Sequence, residues 1–113
     1  MESILTSIKK LLGISEEYTH FDKDLIMHIN SVLLILNQLG VGPANPFFIV
    51  DKEDTWDDFL EDSTALELVK SYVYLKVKLL FDPPLSSAVI ESTNRMISEF
   101  EWRLNVAVDP KED

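Results

Sequence analysis

Hydrophobic positions recur at helical spacing in several blocks, and glycines and prolines fall between the blocks. Residues 2–12 read as a short helix, started by Ser3 or Thr6 and stopped by Gly13. Asp22 has the N-cap position of a second helix ending at Leu39, with Gly40 where a left-handed C-terminal cap belongs. On a 100° wheel Leu25, Ile29, Val32, Leu33, Leu36 and Leu39 share one arc, which predicts a core face. Met27 and Leu34 make a second apolar stripe on the far side. A helix with two stripes is expected to touch two things.

Val41 to Asp54 reads as a connector, because Gly42-Pro43 and Asn45-Pro46 interrupt any regular helix. Within it Phe47 to Val50 suits a brief extended segment. Thr55 to Leu60 fits one helical turn capped by Asp54 or Thr55. Thr64 and Glu67 have capping-box spacing, so a third long helix is expected over 65–81. Asp82-Pro83-Pro84 ends it. Ser86 or Ser87 caps a last helix reaching Ala107, with Leu85, Val89, Met96, Ile97, Phe100 and Leu104 as its apolar stripe. The short link favours an antiparallel pair for the last two helices. The prediction is an all-α, small helical bundle of about four helices with an irregular central loop. One domain covers 1–108 and a charged tail 109–113. There is no internal repeat or low-complexity segment.

Composition narrows the function. The chain has 113 residues, of which 46% are apolar, enough for one core. It has no cysteine, which excludes disulfides, a thiol nucleophile and thiolate metal sites. Twenty acidic against ten basic residues leave a net charge of −10, which opposes adhesion to nucleic acid or anionic lipid. No apolar run approaches the ~20 residues of a membrane span, and the start lacks the pattern of a signal peptide. A cytosolic, soluble protein without a membrane partner is expected.

The candidate chemistry is thin. Seven acids at 51–62 surround Trp56 and Phe59. The cluster reads as a solvated loop anchored by two aromatics or as a partner contact. A calcium loop needs a glycine at its sixth position, and this stretch has none. Glu17 and His20 have the spacing of one di-iron half-motif, but no second copy exists. Asp24 and His28 stand one turn apart without a nucleophile beside them. No phosphate loop, nucleophile elbow or zincin motif is present, so neither an enzyme nor a cofactor is expected.

Two residues break their local pattern. Lys76 projects into the wide apolar arc of the third long helix, so it must snorkel to solvent or meet a carboxylate at a subunit boundary. Trp102 points away from the apolar stripe of the last helix, among Glu91, Arg95 and Asn105. It is either a binding anchor or packed under the N-terminal helix or the connector. The spare apolar faces imply oligomerisation. The acids at 51–62 and the bases Lys70, Lys76 and Lys78 occupy different places, which suits a head-to-tail contact closing into a ring.

Trp56-Asp57-Asp58-Phe59, then Tyr72 to Pro84, then Glu101-Trp102-Arg103-Leu104-Asn105 resemble the head–tail connector (head-completion or adaptor) proteins of long-tailed bacteriophages and prophages. The likeness spans residues 20–110. It implies a helical structural subunit of the virion, made in the host cytoplasm. Copies would form a ring, commonly of roughly twelve, below the portal protein. The ring would extend the DNA channel and give tail or further connector proteins a docking face, while DNA passes without specific binding. On this reading Trp56, Asp57, Asp58, Lys70, Lys76, Lys78, Trp102 and Arg103 are the candidate subunit or partner contacts. An acidic protein suits a channel through which phosphate must not stick. The alternatives are an acidic DNA-mimic inhibitor or other helical protein-binding module, and a small helical hydrolase or metal protein.

Overall fold

The computed structural model describes residues 2–61 and 63–108. They form five helices: α1 (Ile4–Leu12), α2 (Asp22–Gln38), the single turn α3 (Trp56–Phe59), α4 (Ser63–Phe81) and α5 (Ser87–Val108). The all-α class and the irregular connector between α2 and α3 match the hydrophobic pattern. The expected 109–113 tail lies outside the described residues.

Local chemistry sets most boundaries. The Ser3 hydroxyl accepts from the Thr6 amide at 3.1 Å and caps α1. Gly13, at φ 81°, ends α1 in a left-handed turn. The Thr55 side chain and Asp58 close a capping box on α3. Ser86 caps α5, its hydroxyl accepting from the Val89 amide at 3.3 Å. Two expected caps differ. Phe21 holds the N-cap position of α2, while Asp22 is the first helical residue and turns its carboxylate to Lys9. α4 begins at Ser63, so Thr64 lies inside the helix rather than capping it.

α4 is the central helix. α2 and α5 both pack on it, and α1 lies across α2 and α4. The core joins Ile4 and Ile8 of α1, Leu25 to Leu36 of α2, Val69 to Val77 of α4, and Ile97 and Leu104 of α5. The connector contributes Val41 and Ile49. Asn30 holds it down: its side chain accepts from the Ile49 amide at 2.8 Å and donates to the Ile49 carbonyl at 3.0 Å. Gly42 runs at φ 92° directly over Phe59, where a Cβ would stand 2.6 Å from the ring. The segment before α3 is stitched to the N-terminus. The Ile4 amide donates to the Asp54 carbonyl at 3.0 Å, and the Trp56 amide to the Glu2 carbonyl at 3.1 Å.

The apolar stripe of α5 is narrower than its wheel predicts. Ile97 and Leu104 are buried and Phe100 is half-buried, but Leu85, Val89 and Met96 are exposed. Among the described residues α5 packs chiefly on α4, and a single main neighbour covers a single seam.

Candidate interaction surface

The sequence-predicted contact residues do not form one patch. Trp56 is 1% exposed. Its indole N–H donates to the Ser7 hydroxyl at 2.7 Å, and that hydroxyl donates to the Ile4 carbonyl at 3.1 Å. This corrects the expectation of a contact at Trp56: the ring is core, because only there does its N–H find a buried acceptor. Asp57 and Asp58 beside it are exposed. Asp58 is committed to its own loop, accepting from the Thr55 amide and hydroxyl, each at 3.1 Å. Asp54 likewise accepts from the Val50 amide at 2.7 Å, and Asp51 from the Glu53 amide at 2.8 Å.

Most of the basic candidates are already paired within the chain. Lys70 meets Glu2 at 2.8 Å, Lys78 meets Asp82 at 3.4 Å, and Arg103 meets Glu99 at 2.6 Å. Lys76 differs. It is half-buried on the α2 side of α4, in a groove of about 350 Å³ with Val32, Ile35, Leu79, Leu80, His28 and Ser31. Among the described residues no carboxylate lies within 4.0 Å of its ammonium.

Trp102 is 67% exposed, which rules out the alternative of packing under the N-terminal helix or connector. Met27, Leu34 and Phe48 are exposed together around a shallow groove on the outer side of α2. Ser31 borders both this groove and the Lys76 groove.

A family model described as phage connector protein matches residues 4–111. The chain belongs to the phage connector family. No curated protein and no solved structure matches it. The connector is therefore a structural protein of a bacteriophage. No described helix is long and apolar enough to cross a membrane. No group of three or more potential metal ligands occurs among the described residues.

Two further groups in the connector hold it together. Lys9, 2% exposed, lies in no pattern that marks it in the sequence. Its ammonium donates to the Glu16 carbonyl at 3.0 Å and the Tyr18 carbonyl at 2.8 Å, and pairs with Asp22 at 2.9 Å. It thereby fixes the whole α1–α2 link. The Tyr72 hydroxyl donates to Glu101 Oε2 at 2.8 Å and ties α4 to α5. Burial, reinforced by that carboxylate, pushes the phenol well above its ordinary value near 10. The Glu17–His20 pair is a surface feature. Ser15 donates to Glu17 at 2.7 Å and lowers its carboxyl, while His20 sits edge-on to Phe21 at 4.8 Å.

Proposed function

We propose that this connector subunit forms a ring by head-to-tail contacts below the portal, at the head–tail junction. It lengthens the DNA channel there and offers a face to the tail or to a further connector. The family match over nearly the whole chain carries the reading. The surface supports it: apolar groups stand out on α2 (Met27, Leu34), on the connector (Phe48, Val50) and on α5 (Met96, Trp102). A folded chain gains by covering such groups against a partner. The remaining candidates, Asp57, Lys76 and Trp102, stand on separate elements, as unlike mating surfaces require. Asp58, Lys70, Lys78 and Arg103 serve this contact at most from its rim, since each already has a partner in its own chain.

An inhibitor that mimics DNA is less well supported. Such mimicry needs a ladder of outward carboxylates, and Asp51, Asp54 and Asp58 are turned to their own backbone.

Mixing the purified protein with its cognate portal tests the proposal. Sedimentation velocity at micromolar concentration should show a complex heavier than the portal oligomer, with many copies of the connector per portal. Unchanged sedimentation of both proteins refutes it.

A further inference from the structure

Lys76 is the one half-buried cation among the described residues that lacks a carboxylate. Lys9, Lys70 and Lys78, the other lysines at least partly withdrawn from solvent, each have one within 4.0 Å. The exposed cations Lys10, Lys23, Lys52 and Arg95 are hydrated and need none. An ammonium among Val32, Ile35, Leu79 and Leu80 is in a different position. It has given up part of its water without a counter-charge, and a carboxylate brought to it gains more than one brought to a surface lysine.

The described residues do not supply that carboxylate. Lys76 lies about 20 Å along α4 from Ser63, at 1.5 Å rise per residue, whereas the acid-rich loop precedes the start of α4. Within that loop Asp51, Asp54 and Asp58 are spent on backbone amides. Asp57 is exposed and accepts no hydrogen bond among the described residues. Its position is nonetheless fixed. It sits in a capped helical turn between the buried anchors Trp56 and Phe59. A short side chain on a braced turn loses little entropy on pairing.

We propose that Lys76 of one copy receives Asp57 of the next, and that this pair sets the register of the contact between subunits. The inference rests on the ring reading above and names the residues that join in it. Leu80, exposed in the same groove as Lys76, supplies apolar surface beside the pair. The two halves lie on different parts of the molecule, so the contact is head-to-tail and every copy uses both halves.

A charge-swap cycle tests it. Lys76→Glu, Asp57→Lys and the double variant are compared with the unaltered protein by sedimentation velocity across a concentration series, with thermal melts to show that each remains folded. Each single variant should weaken self-association roughly tenfold or more, and the double variant should recover most of the loss. Full-strength association of either single variant overturns the pair. So does a double variant no better than the singles. Loss of the cooperative melt in Lys76→Glu also overturns it, because Lys76 then serves the fold. If the unaltered protein stays monomeric both alone and with portal, the ring reading falls and this inference with it. If it assembles but ignores the swap, only the inference falls.

Discussion

Lys9 shows how much one side chain can organise. Residues 13–21 have no helix or strand of their own, and the link is held by an ammonium with two carbonyls and a carboxylate around it. Asp22 lies in the first turn of α2, where the helix dipole also favours its charge. Removing the ammonium strands a partly buried carboxylate and leaves two carbonyls short of a donor. Lys9→Met should therefore cost about 3 kcal/mol, seen as a lower urea midpoint with an unchanged slope. A stability loss below ~0.5 kcal/mol would mean that the packing of Ile4, Leu5 and Ile8 alone holds the link. None of this was legible in the sequence. Two of the partners are backbone atoms, which carry no residue identity, and a lysine on a nine-residue helix reads as solvated. Trp56 is the anchor that one reading of the acidic loop expects, not the contact that the other expects: the acceptor that draws its indole inward is 49 residues away, beyond the reach of local pattern.

At the scale of elements, most caps and breakers are legible because their causes are local, although Asp22 and Thr64 lie inside their helices rather than capping them. Ser3, Gly13, Thr55, Ser86 and Pro83-Pro84 act on their own neighbours, and the helices begin or end beside them. The buried width of a helix is different, since it depends on how many partners surround it. The wheel of α5 marks a full stripe, yet only its C-terminal part, Ile97, Phe100 and Leu104, is withdrawn from solvent. What fastens that seam is the Tyr72–Glu101 hydrogen bond, which requires a protonated phenol. The phenol is raised in the folded state, so its contribution is complete below the unfolded value near 10 and fades as pH climbs above it. Between pH ~10 and ~12 the unaltered protein should lose stability relative to Tyr72→Phe, followed by chemical denaturation at each pH. Parallel decline of the two would assign the loss to other groups.

For the whole molecule, the net charge of −10 opposes the assembly that the apolar faces favour. One partly buried pair per contact does not balance that repulsion at long range. Raising ionic strength from about 10 mM to about 150 mM shortens the screening length from about 30 Å to about 8 Å. The repulsion is damped while the close pair is spared most of the screening. Self-association should therefore tighten over this range in sedimentation equilibrium, and steady weakening would show that attraction between charges dominates. The family and the all-α class were legible from motifs spread along the chain. Which cations remain unpaired was not, because Glu2 and Lys70 are 68 residues apart. The backbone stitch between residues 2–4 and 54–56 bears on how the chain is made. Synthesis delivers α1 first, but the strip that clasps it is still inside the ribosome. Once Leu12 has emerged, α1 must wait, uncovered, for the 42 further residues up to Asp54 before it can be fastened.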